Sequence, residues 1–176
     1  GSGNLRNAIL FGNNTTITSS GATTTLAANS LPYLVKNKAT VAGNSTLSFG
    51  SGVVVKGYDT TGSAQGEIEV ATNGTIHSAG SSSGDLVFTS MRDSSVGGTV
   101  STGLSAAAAG DWVGLYFGSK PDASNALENV RIAFAGFPTA SSGFSCETGA
   151  MTAALLIVGA PPASGFLKSS TIVSSG

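Results

Sequence analysis

Two carboxylates in this 176-residue chain, Glu67 and Glu69, stand two residues apart. On an extended strand that spacing turns both to one face. Paired carboxylates on one face are what a glycoside hydrolase uses, one as the acid and one as the base or nucleophile. With a basic residue and a bound calcium ion they also serve a polysaccharide lyase. Lys56 is the basic residue expected near them. The same acids on an outer strand face serve equally to keep that face solvated and to guard it against edge pairing, which is the reading preferred. A second group is Arg92-Asp93 with Asp111, which bracket a strand-poor stretch. Opposite charges at the two ends of such a stretch fit a salt-bridged anchor better than an active site. Trp112 and Tyr116 follow, four residues apart. Aromatic rings on a flat β surface can stack on sugar rings, although Trp112 fits packing beneath the preceding stretch better. Trp112, Tyr116, Arg92, Asp93 and Asp111 are therefore the candidate binding residues, and no catalytic residue is assigned.

The rest of the composition excludes more than it selects. One histidine, His77, makes a Ser–His–Asp triad or a histidine metal site a poor fit. One cysteine, Cys146, rules out an internal disulfide and a multi-thiolate zinc site, and nothing nearby would activate its thiol. No metal and no cofactor is expected. Eight basic and nine acidic residues give a net charge of −1, too little positive charge for tracking a phosphate backbone, so no nucleic-acid partner is expected. The longest apolar run, residues 150–163, contains Thr152, Gly159 and Pro161-Pro162, and falls short of the roughly 20 residues of a membrane span. Asn13, Asn14, Asn44 and Asn73 lie in Asn-x-Ser/Thr sequons, which arise readily in a chain rich in Asn and Thr.

What positions these residues is a succession of short strands. Helical periodicity is nearly absent, and the single alanine run, Ala106 to Ala109, is four residues long. β-Branched runs bounded by Gly, Asn and Ser predict strands at 33–35, 39–41, 46–49, 53–56, 67–70, 75–78, 86–89, 113–117, 130–134, 154–158 and 171–174. They repeat. Val41-Ala42-Gly43-Asn44-Ser45-Thr46-Leu47 matches Val70-Ala71-Thr72-Asn73-Gly74-Thr75-Ile76, an offset of 29. Val113–Gly118 aligns with Ala154–Gly159, and Val130–Gly136 with Ser170–Gly176, an offset near 40. Repeats of this length are solenoid coils. In such coils Leu47 and Ile76 would stack in one apolar bore, and Asn44, Asn73 and Ser83-Gly84 would make the corners.

The segments Pro32–Val35, Gly52–Lys56, Gly74–Ile76, Val87–Ser90 with Arg92-Asp93, Gly110–Leu115 and Leu127–Ile132 resemble bacterial right-handed parallel β-helix repeat proteins. That family is secreted or surface-exposed and of generally uncharacterised function. The resemblance covers residues 31–176 and implies an all-β fold, a right-handed parallel β-helix of four to five coils. Residues 1–30, rich in threonine, are expected to form an N-terminal cap or outer strand. Residues 91–111 and 137–149 are expected to project as loops, where solenoids commonly carry function.

The resemblance and the low charge together imply a secreted or cell-surface location in a bacterium. The opening Gly1-Ser2-Gly3-Asn4 carries no secretion signal, which fits a leader already removed. Relatives continue with further coils where this chain stops, so a fragment, a processed product or a stacking subunit is expected. A terminal coil exposing Leu156, Leu167 and Ile172 should then associate with another copy or with a neighbouring domain, end to end, into a filament. The leading expectation is a non-catalytic structural or adhesive module. The alternative is a carbohydrate-binding or polysaccharide-degrading domain that takes a glycan in its lateral groove. A lesser one is ice binding, suggested by Thr15-Thr16-Ile17-Thr18 and Thr23-Thr24-Thr25, which show no recurrence at a fixed offset.

Overall fold

The computed structural model describes residues 6–59, 65–78, 86–119, 124–137, 153–158 and 165–175. All regular structure among them is strand. The first coil holds β1 (Ile9–Phe11), β2 (Thr15–Ile17) and β3 (Thr23–Leu26), and the second β4 (Tyr33–Val35), β5 (Lys38–Val41) and β6 (Thr46–Phe49). The third holds β7 (Val54–Gly57), β8 (Glu67–Val70) and β9 (Thr75–Ser78). The fourth holds β10 (Leu86–Ser90), β11 (Gly114–Phe117) and β12 (Leu127–Glu128), and the fifth β13 (Val130–Ala133), β14 (Leu155–Ile157) and β15 (Leu167–Lys168). β16 (Thr171–Val173) opens a sixth. The first strands of the coils form one six-stranded parallel sheet, β1-β4-β7-β10-β13-β16. The second strands form a five-stranded sheet, β2-β5-β8-β11-β14, and the third strands form β3-β6-β9 and β12-β15. The chain is a parallel β-helix with three strands per turn.

Alternation of side chains decides what fills the bore. On the first sheet, Ile9, Tyr33, Val55, Phe88, Ile132 and Ile172 stand directly above one another. On the second, Ile17, Val41, Val70, Phe117 and Ile157 do the same. Leu47 pairs with Ile76 on the third. A three-residue strand cannot bury an isoleucine by itself, so each rung is covered only when the next coil arrives. Rings reach across the bore: Phe49 meets Phe88 edge-on at 5.2 Å and Phe117 meets Phe166 at 5.1 Å. The corners expected at Asn44 and Asn73 adopt φ of 59° and 61°, the left-handed region Asn reaches cheaply, and they stack, with the Asn44 N–H donating to Asn73 O.

Two expectations differ from the structure. The threonine-rich segment is a full coil: β1, β2 and β3 pair in parallel register with β4, β5 and β6, so it covers the second coil by continuing it. Its threonines hid this, because inward Ile9, Ile17 and Leu26 are too far apart to read as apolar strands. The alignment of 113–118 with 154–159 was one residue out. Leu115, Tyr116 and Phe117 pair with Leu155, Leu156 and Ile157. A slip of one inverts every side chain. Leu155 and Ile157 therefore pack on the core, and Leu156 between them faces outward beside Tyr116. Leu156 is not part of the bore's open end. Ser83-Gly84 and residues 138–149, with Cys146, lie outside the described residues.

Gly57 is an inward rung without a side chain, between Val35 and Ser90. Trp112 fills the space, and a Cβ on Gly57 would lie 2.5 Å from three of its atoms. Two substitutions test the stacked core by urea denaturation. Phe88→Ala is expected to cost about 3–5 kcal/mol. Gly57→Ala, which adds only a methyl, is expected to cost about 1–3 kcal/mol through overpacking against the indole.

Candidate functional site

After β10 the chain leaves the first sheet at Met91 and returns at Asp111, and the excursion lies against the sheet's outer face. It is held from beneath. Lys56 points outward from β7 between inward Val55 and Gly57, yet is fully buried. Its Nζ donates to Asp93 O at 2.5 Å and to Gly98 O at 2.6 Å. Thr89 Oγ1, on the next coil, donates to Asp93 Oδ2 at 2.7 Å. Asp93 Oδ1 accepts from the Ser95 N–H and hydroxyl. Leu34, Met91 and Val100 form a small apolar cluster under the same stretch.

The return is tied separately. Ser90 Oγ donates to Asp111 Oδ2 at 2.6 Å, and the Ala108 N–H donates to the same oxygen. Arg92 pairs with Asp59 and reaches Asp111 at 3.9 Å, while its Nη1 donates to Ser105 Oγ. Its Nε is buried without a partner. Arg92, Asp93 and Asp111 thus come together, as an anchor. Burial alone would raise the Asp93 carboxyl, but hydrogen bonds from Ser95 and Thr89 and the Lys56 charge hold it below the usual carboxylate range. Burial lowers the Lys56 ammonium.

Trp112 does not join a binding surface. It is 1% exposed, and its indole N–H donates to Ala133 O at 2.9 Å. No ring face is open to a sugar. Tyr116 does stand on the outer face, of the second sheet, in a row with Thr16, Thr40, Glu69 and Leu156. Glu67 and Glu69 share that face as their spacing required. Their cation is Lys38, 3.0 Å from Glu69 and 3.8 Å from Glu67. Lys56, expected beside them, belongs to another sheet. Burial lifts the Glu67 carboxyl, and burial together with the two carboxylates lifts the Tyr116 phenol. Desolvation opposes the Lys38 charge, but the Glu69 hydrogen bond and the carboxylate fields prevail and raise it. One lysine clamping two glutamates across adjacent coils is a surface ion network. Among the described residues no group of three or more His, Cys, Asp or Glu is placed to hold a metal ion. No described helix is long and apolar enough to cross a membrane.

Threonines do recur at one spot: Thr23, Thr46 and Thr75 stack on the third sheet. Thr75 is buried against Ser124, and the neighbouring row runs Thr25, Ser48, half-buried His77, so the array does not continue as an exposed threonine face. Leu167, on β15 of the fifth coil, is 36% exposed, and Ile172, on β16 at the start of the sixth, is 46% exposed at an inward rung.

Sequence reading missed an open pocket of about 370 Å³ lined by Arg6, Leu10, Leu34, Lys36 and Tyr58. Lys36 and Tyr58 each follow the last residue of a first strand, Val35 and Gly57, which are register partners. An offset of 22 residues was the available signal, masked by the different spacing of the other coils. Comparison with family models, with curated proteins and with solved structures finds no match to this chain.

The loop tie makes two measurements decisive. Lys56→Met strands two carbonyls and is expected to cost about 3 kcal/mol and to open the Arg92 bond to limited trypsin digestion. For pH, a depressed carboxyl stabilises the fold above its unfolded value, about 3.9, and that stability is lost as pH falls through the folded value. Glu67, with a raised value, works in the opposite sense. Wild type is therefore expected to lose stability more steeply below about pH 4 than Asp93→Asn, in chemical denaturation at stepped pH.

Proposed function

We propose that this chain is a non-catalytic structural or adhesive β-helix segment of a bacterial secreted or surface protein. It holds the 91–111 excursion rigidly on one side of a rod and continues that rod by stacking against another copy. The resemblance in its strand and turn residues to bacterial β-helix repeat proteins supports the setting. The observation that carries the reading is the anchor: Lys56, Asp59, Arg92, Asp93 and Asp111 are all engaged in fixing one loop, the work of a display scaffold. Support for stacking comes from the two ends of one ladder. Ile9 is 41% and Ile172 46% exposed at inward rungs, on the edge strands β1 and β16 of the same parallel sheet. A second copy placed β1 against β16 continues that sheet in the same direction and covers both isoleucines.

A carbohydrate-directed reading is favoured by one observation, the outward Tyr116 beside Glu67 and Glu69. Incubation with acidic polysaccharides and calcium separates the two readings, since unsaturated product would assign a lyase. For the leading one, sedimentation velocity over a concentration series with electron microscopy is expected to show end-to-end rods, and Ile172→Asp to return them to single short particles. A strict monomer at high concentration overturns the stacking.

A further inference from the structure

We propose that the pocket lined by Arg6, Leu10, Leu34, Lys36 and Tyr58 binds a small organic carboxylate with an apolar body. The site stands apart from the lateral glutamates and outside the bore, although Leu10 belongs to the edge strand β1. Its volume, about 370 Å³, falls within the roughly 300–1,000 Å³ of small-molecule sites. Among the described residues two cations line it and no carboxylate does.

The donors are held in place by the fold. The Lys36 N–H donates to Phe11 O and the Tyr58 N–H to Val35 O, which fixes both residues at one corner of adjacent coils. Arg6 is held by bonds that include Nη1 to Ser101 Oγ at 2.9 Å and Nη2 to Tyr58 OH at 3.0 Å, with its guanidinium carbon 5.5 Å from the Tyr58 ring centroid. The Asn7 N–H donates to Val100 O, so the anchored excursion also supports this wall. Because the Tyr58 oxygen accepts from Arg6, its own proton remains available to an acceptor in the pocket. The Lys36 ammonium makes no side-chain hydrogen bond or ion pair with a described residue. An ammonium and a phenol proton on one pocket, in the positive field of a neighbouring guanidinium, suit a carboxylate, which takes charge-assisted bonds on two oxygens.

The opposite requirement comes from the leucines. Leu10 is 53% exposed and Leu34 lies beside it in register. A bare inorganic anion would leave this surface wet, whereas an alkyl, aryl or sugar-ring body covers it. Carboxylates of that kind occur as free acids and as uronic acid residues of polysaccharides.

Calorimetric titration of the intact chain with 4-phenylbutyrate, its neutral amide, trigalacturonate and inorganic phosphate tests the proposal. Binding of 4-phenylbutyrate or trigalacturonate is expected, and which of them binds names the source. The amide is expected to bind at least about tenfold more weakly than 4-phenylbutyrate, the loss of one charge-assisted bond. Lys36→Met and Tyr58→Phe should each weaken the bound carboxylate several-fold with the thermal midpoint retained, and Leu10→Asp should abolish binding. Absence of binding by both carboxylates, equal binding of the amide, or phosphate binding as tightly as either carboxylate each overturns the proposal. These ligand comparisons on the wild-type chain decide it even where a variant fails to fold.

Discussion

The structure depends on vertical registry. Each strand is three to five residues long except the two-residue β12 and β15, and none is viable alone. What makes them stable is that residue n of one coil lies over its counterpart in the next, five times over on the first sheet. Burial there is shared between neighbours. Val55, Phe88 and Ile132 are covered in the middle, while the same ladder opens at Ile9 and Ile172. Registry also explains the tolerance for unequal coils. The Ile9 rung recurs after 24 residues at Tyr33, whereas Phe88 and Ile132 are 44 apart, because extra residues leave at the corners and do not disturb the pairing.

The excursion at 91–111 turns an ordinary outward row into an interior one. Leu10, Leu34, Lys56, Thr89 and Ala133 stand above each other on the outer face of the first sheet. A solenoid face of this kind would normally meet water. Here the covering loop buries all but Leu10, and the lysine among them supplies bonds to two carbonyls that a structureless loop could not otherwise satisfy. A buried ammonium is costly, and its persistence is explained by the three groups around it: two backbone oxygens and the Asp93 carboxylate. The same loop steadies Arg6, which lines the pocket, through the bonds of Val100 to Asn7 and of Ser101 to Arg6.

Most of the fold was legible because its strands carry β-branched residues between Asn and Gly corners. The repeat at Asn44 and Asn73 gave the correct register directly, since corner and rung are both conserved in type along the chain. The pairing of 115–117 with 155–157 was harder: Leu155-Leu156-Ile157 is apolar at every position, so alternation carries no phase and a slip of one looks equally good. The first coil escaped for the opposite reason, having too few apolar residues to mark its strands. Of the candidate residues, Arg92, Asp93 and Asp111 were legible as an anchor because they bracket a strandless stretch. Lys56 was not, because only a covering loop makes an outward lysine interior. Arg6, Lys36 and Tyr58 come from three separate segments, and no local pattern joins them.

One mechanical consequence follows from the direction of the backbone hydrogen bonds. In this helix they run along the long axis, and covalent chain runs around it. Traction along the axis therefore pulls on weak bonds in series and peels one turn from the next, while a sideways load is resisted by peptide bonds. Where a turn is also clasped from outside, as at the lysine-pinned excursion, axial tearing meets extra resistance, so coils without such a clasp give way first.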